Sequence, residues 1–182
     1  MKLFFILFSL TINVDTFAAF ESTYEPLQSE KILFINGNIL DGEGNELLDT
    51  DLLIADGKII AIGKGISVDD KDVKIIDAKN KWITPGIIDI HSHMGVYPAP
   101  SVRTSSDGNE ATSPVTAEVW AEHSMWVQDP QYALALKGGI TTFHVLPGSA
   151  NLIGGRGVTV KNLQRNTIQS MKYPDAKHSL KM

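Results

Sequence analysis

The chain of 182 residues contains no cysteine. That absence excludes a disulfide framework and any thiolate metal site, so a bound metal must be held by histidine, carboxylate or a modified lysine. A cluster of lysine and arginine is also missing: the net charge is −5, with acidic and basic residues interspersed. No stretch of that kind tracks a phosphate backbone, and nucleic-acid binding is not expected. The glycines of Gly154-Gly155-Arg156-Gly157 lack the spacing and the Lys-Ser/Thr pair of a phosphate loop, which removes the argument for nucleotide binding. Internal repeats and low-complexity tracts are absent as well. Spanning a bilayer takes about 20 apolar residues, and no run here is that long.

The longest apolar run is Leu3 to Ile12, broken by Ser9 and Thr11, preceded by Met1-Lys2 and followed by Thr16-Phe17-Ala18. A positive start, a short apolar stretch and small residues before a cut read as an export signal. Residues 1–18 are therefore expected to be a signal peptide cleaved after Ala18. The product would be secreted or periplasmic, with no membrane attachment after cleavage. Residues 19–30 are polar, carry Pro26 and read as a linker.

From Lys31 short β runs alternate with turn residues. Lys31–Gly37, Asp51–Ala55, Lys58–Ile62, Val73–Asp77 and Lys81–Ile83 are the expected strands. Asp56-Gly57 between the second and third is a two-residue hairpin signal, because both turn positions need positive φ. Asp41-Gly42 reads as a similar turn. Residues 31–84 thus form a small, antiparallel β unit.

Thr84-Pro85-Gly86 breaks that pattern. Ile87-Ile88-Asp89-Ile90-His91-Ser92-His93 follows, an apolar run suited to a strand buried on both faces. About forty-five residues separate it from Ile140–Leu146, as a parallel crossover requires. Two helices are expected in between: one opened by Ser113-Pro114 and running to Trp126, another opened by Asp129-Pro130 and closed by Gly138. Val158–Lys161 is a further short strand, and the tail from Asn162 shows no period.

Residues two apart in a strand share a face, with backbones separated by roughly 6.6 Å. His91 and His93 can therefore converge on one ion, with nitrogen–zinc bonds of about 2.0–2.1 Å. Asp89 lies on the same face one layer deeper, where it can orient a ligand or sit as a buried, paired carboxylate. Arg156, among glycines, is a weak candidate for holding a substrate carboxylate, the alternative being a turn that needs flexible residues. Tyr97 either lines a substrate pocket or packs under its loop. His144 reads as a hydrogen-bonded histidine of the core or rim, His123 as a packing or surface residue of a helix, and His178 as solvated.

Thr84-Pro85-Gly86-Ile87-Ile88-Asp89-Ile90-His91-Ser92-His93 resembles the first barrel strand of the amidohydrolase superfamily. Asn36-Gly37-Asn38-Ile39 through Gly63 resembles its small N-terminal β-sandwich, and Gly138-Gly139-Ile140-Thr141-Thr142 its second barrel strand. The likeness is greatest to exported, imidazolonepropionase-like members, through Asp107–Glu110, Ala121–Ser124 and Leu146–Asn151. The resemblance implies an α/β fold: a (β/α)8 TIM barrel begun at residue 85 and left incomplete at 182, preceded by the β-sandwich unit of residues 31–84. It implies one or two divalent metals, commonly zinc, with His91 and His93 as ligands, and a small amide, cyclic amide or dipeptide as substrate. The remaining ligands and the general base would lie beyond Met182. The implied activity is hydrolysis of carbon–nitrogen bonds by metal-activated water. A truncated or scaffold relative without catalysis, and a free-standing secreted binding module, are the competing readings. Homo-oligomers are left open.

Overall fold

The computed structural model describes residues 19–182; the expected signal peptide lies outside the described residues. The fold is α/β and dominated by strands, with one α-helix among the described residues, α1 (Gln131–Lys137), of seven residues.

The first unit is a sheet built on β1 (Ile32–Leu40), β2 (Glu46–Ala55) and β3 (Lys58–Gly63), each antiparallel to the next. The β2–β3 hairpin turns at Asp56 and Gly57, with φ of 52° and 69°, as the Asp-Gly pair requires. The β1–β2 connection is longer than a two-residue turn. Its five residues, 41–45, are gathered by the Asp41 carboxylate, which accepts from the backbone N–H groups of Glu43 and Asn45. These bonds hold Asp41 below the usual carboxylate range, the Asn45 side chain contributing most.

The expectation of a purely antiparallel unit is corrected at its other edge. Here β4 (Lys74–Asp77) and β5 (Trp82–Ile83) both run parallel to β1, one beside its first half and the other beside its second. The device that allows this is a bulge in β1. Asn36 adopts φ 59°, its N–H donates to Asp51 Oδ1 at 3.0 Å, and the register shifts between Phe34 and Gly37. The strand continues beyond the Asn-Gly pair at which the sequence pattern ends it. A Cβ on Gly37 would press against Ile83, so the glycine lets β5 approach.

The second unit is a three-stranded sheet in the order β6 (Ile87–Ser92), β7 (Ile140–Val145), β9 (Val158–Lys161). As expected, β6 and β7 are parallel; β9 returns antiparallel to β7. A two-residue strand β8 (Gly155–Arg156) pairs with β10 (Leu180–Lys181) near the end of the chain. The core gathers Val96, Phe143, Val145, Val158, Val160 and Met171, all at most 1% exposed, with Tyr132 of α1 packed on Phe143. Asn162 seals the junction of α1 and β7: its side-chain amide donates to the carbonyls of Tyr132 and Ile140.

Three expectations fail in this unit. Residues 113–126 are not a helix; only a 3₁₀ turn, Ala121–His123, is present. The segment instead exchanges main-chain bonds with the loop after β7: Thr116 N–H donates to Ile153 O and Arg156 N–H to Val119 O. Val115, Thr116 and Val119 are β-branched and favour that extended pairing over a helix. The tail has almost no regular structure, as expected, but it is partly packed into the unit. Ile168 and Met171 are buried, and His178, expected to be solvated, is half-buried with Nδ1 on the Gly157 carbonyl at 2.7 Å. The carbonyl can only accept, so Nδ1 carries the proton. Finally, β6 is not buried on both faces: Ile88 and Ile90 are 61% and 76% exposed.

Candidate metal centre

The centre is built at the C-terminal end of β6. His91 is the fifth residue of the strand and His93 follows its last. Their ring centroids lie 5.3 Å apart, inclined at 75°. His93 Nδ1 is 2.9 Å from the carbonyl oxygen of Leu146, which follows β7. Because that oxygen only accepts, Nδ1 is the protonated nitrogen and the Nε2 lone pair is left for a ligand. Leu146 N–H in turn donates to Ser92 O at 2.9 Å, so the ends of β6 and β7 are tied around the histidine. That carbonyl is a functional group which sequence reasoning missed, since a main-chain oxygen has no signature in side-chain order.

Asp89 is half-buried, and its carboxylate accepts from the main-chain N–H of His91 at 3.1 Å. It braces the strand rather than bonding to either imidazole. Among the described residues no group of three or more His, Cys, Asp or Glu is arranged to hold a metal. The donor chemistry fits a divalent ion at two neutral nitrogens, one of them tautomer-locked, and stops short of a full coordination set.

Tyr97 packs beside His93. Its ring stands edge-on to His93 at 5.6 Å between centroids, and its hydroxyl accepts from the Asn109 side-chain amide. Burial raises the phenol above its ordinary value. Gly108 and Gly148 pack so closely that a Cβ on either would overlap Tyr97, which gives both glycines a steric reason. Asn109 Oδ1 then accepts from Ala150 N–H. Contacts thus run from His93 through Tyr97 to Asn109, which lines a cavity.

That cavity, of about 560 Å³, is lined by Asn109, Glu118, Trp120, His123, Pro147 and Arg156 among others. Neither His91 nor His93 lines it. Arg156 is brought to it by β8 and lies over the Trp120 indole at 4.5 Å, a cation–π contact that fixes the guanidinium. His123 lines the cavity from its 3₁₀ turn. His144 is held by two hydroxyls, Thr159 Oγ1 at 3.0 Å and Ser179 Oγ at 2.6 Å. Burial lowers its pKa first, with His178 and His91 adding to the effect.

Known proteins can be set beside this geometry. The amidohydrolase tasK of Hapsidospora irregularis is 35% identical over 62% of this chain, and dihydroorotase of Bacillus cytotoxicus is 34% identical over 64%. An amidohydrolase of Thermotoga maritima superposes over 80% of the chain with a TM-score of 0.69 and 36% identity. The chain is similar to these amidohydrolases in sequence and, for the last of them, in fold. It spans only 12%, 21% and 37% of those three proteins, respectively. No family model matches it.

Proposed function

We propose that this amidohydrolase relative supplies the first two metal ligands, His91 and His93, of a hydrolase acting on carbon–nitrogen bonds in small amides, cyclic amides or dipeptides. The observation that carries the reading is the paired imidazoles at one strand end, with the Leu146 carbonyl fixing the His93 tautomer. A bound divalent ion, commonly zinc, would polarise the scissile carbonyl and acidify a water for attack. In this reading β6 and β7 are the first two strands of a (β/α)8 barrel, whose chemistry sits at the C-terminal ends of its strands. Residues 31–84 form the N-terminal β-sandwich unit, and residues 85–182 the beginning of the barrel. Export through a leader at residues 1–18 is part of the same proposal; N-terminal sequencing of exported protein should begin at Ala19, and a soluble periplasmic product retaining Met1 would refute it.

Catalytic zinc sites use about three protein ligands and an open position. Two imidazoles give at most weak, poorly selective binding. Residues 19–182 alone are therefore expected not to hydrolyse N-acyl amino acids or dipeptides. Metal-dependent turnover by a monodisperse monomer, lost on His91→Ala, would show that these residues hold more than this reading allows.

The test of the ligand assignment uses His91→Ala and His93→Ala in the protein that carries the remaining barrel. Metal content by elemental analysis and amide turnover are expected to fall together for each substitution, because each removes one neutral nitrogen ligand. Full metal occupancy and activity in the double variant would overturn the assignment.

A further inference from the structure

Glu122 and Lys172 form an ion pair at 2.7 Å, with side chains 0% and 8% exposed. A pair taken out of water in this way is tolerated only when the remaining lone pairs and N–H groups also find partners. Here one residue fills both needs through its main chain. Phe20 N–H donates to Glu122 Oε1 at 3.0 Å, and Phe20 O accepts from Lys172 Nζ at 2.6 Å. The following residues run along the tail. Ser22 Oγ donates to Lys172 O at 2.8 Å and Thr23 N–H to Gln169 O at 3.0 Å. The Phe20 side chain is not what anchors this segment: the residue is 37% exposed, and its ring rests on His123 at 4.7 Å. The grip is on main chain, made by buried charges.

We propose that residues 20–25 are a strap seated on the Glu122–Lys172 pair, and that its docking sets the wall of the cavity formed by Trp120, Ala121 and His123. Glu122 lies inside the 3₁₀ turn Ala121–His123, and the residues on either side of it line that cavity. With the strap in place, each oxygen of the Glu122 carboxylate has a donor and the Lys172 ammonium has two acceptors. With the strap released, a carboxylate oxygen and an ammonium proton lose their partners inside the protein. Water must then reach them, and the turn that carries Glu122 has to move to admit it. The turn therefore has two arrangements, and the strap selects between them. This coupling is independent of the metal reading: it concerns the cavity wall, and neither histidine of β6 takes part.

The experiment uses the full chain of residues 1–182, labelled with 5-fluorotryptophan. Glu122→Leu with Lys172→Met removes both charges together, leaving no lone buried ion. Hydrogen exchange across residues 20–25 should accelerate at least tenfold. The Trp120 fluorine resonance should shift while that of Trp82, in the other sheet, stays in place. Phe20→Pro keeps the pair and deletes the N–H that Glu122 accepts from, and it should give the same two changes; it carries the test if the double variant loses cooperative melting. Unchanged exchange in residues 20–25 would show that the pair is not the seat. Accelerated exchange with an unmoved Trp120 resonance would show that the strap does not set the wall. Either result overturns the proposal.

Discussion

β6 and β7 are neighbouring parallel strands of similar composition, and they live in opposite environments. In β7, Phe143 and Val145 are 0% exposed; in β6, Ile88 and Ile90 are 61% and 76% exposed. The difference comes from what lies around them. β7 has β6 on one side and β9 on the other, and its side chains meet the core formed with Val96 and Met171. β6 is the edge of this sheet among the described residues, and its isoleucines meet nothing comparable. An apolar strand records the burial that its sequence is suited to, whereas its exposure records which neighbours are present. The isoleucines of β6 are suited to a layer that the described residues do not provide.

The largest effect that can sharpen this contrast is on stability. Phe143→Ala removes a fully buried ring and should cost about 3–5 kcal/mol in urea unfolding. Ile90→Ala, one strand away, should change stability by no more than about 0.5 kcal/mol, the range of ordinary surface substitutions. Equal losses at the two positions would mean that β6 is covered in solution, by another copy of the chain or by residues outside those described.

Covering by another copy leads to the second prediction. An exposed strand edge with an apolar face invites association. The isolated chain should self-associate in sedimentation velocity at micromolar concentration, and Ile88→Lys with Ile90→Lys should shift it towards monomer. β3 is likewise an edge of its sheet, with Ile59 and Ile62 exposed at 62% and 42%, but the same change there should do less, because Ile90 at 76% is the most exposed of the four. If the β3 variant is the more effective, the edge of β6 is not where the chains meet.

The sequence was most readable where local chemistry decides the backbone. Asp56-Gly57 names its hairpin, Gly138 closes α1, and the His-x-His spacing brings two imidazoles together. Reading failed where distant partners decide. Ser113-Pro114 is a sound helix opening, yet the segment pairs with residues 153–156 because those carbonyls and N–H groups are in reach. The parallel docking of β4 and β5 on β1 depends on a bulge at Asn36, which is satisfied by Asp51 fifteen positions away. Lys172 gave no signal at all: its importance is its pairing with Glu122, 50 residues distant, and with the backbone of Phe20. The Leu146 carbonyl and the Tyr97–Asn109 contact are legible only after β6 and β7 are aligned.

The smallest expected effect separates the two sheets by acid. His144, in β7, has its pKa lowered from 6.5, chiefly by burial, with His178 and His91 contributing. The unfolded chain takes up that proton at higher pH than the folded one. Stability from this group is therefore complete above pH 6.5 and declines as pH falls below it, until the folded histidine also protonates. Asp51, in β2, is also lowered, from 3.8, first by the N–H of Asn36 and then by that of Ile66. Its contribution is complete above about 3.8 and is lost only as pH falls further, through the folded value. The second sheet should thus weaken first on acidification. One proton limits each slope to about 1.4 kcal/mol per pH unit. Urea midpoints between pH 7 and pH 5 should fall for the natural sequence and stay flatter for His144→Gln, which keeps donors and acceptors for Thr159 and Ser179. Asp51→Asn should lower stability throughout yet leave the slope in that window unchanged, flattening the profile only below pH 4. Matching slopes for His144→Gln and the natural sequence between pH 7 and pH 5 would place the acid sensitivity elsewhere, and would remove the claim that β7 holds its histidine neutral by burial.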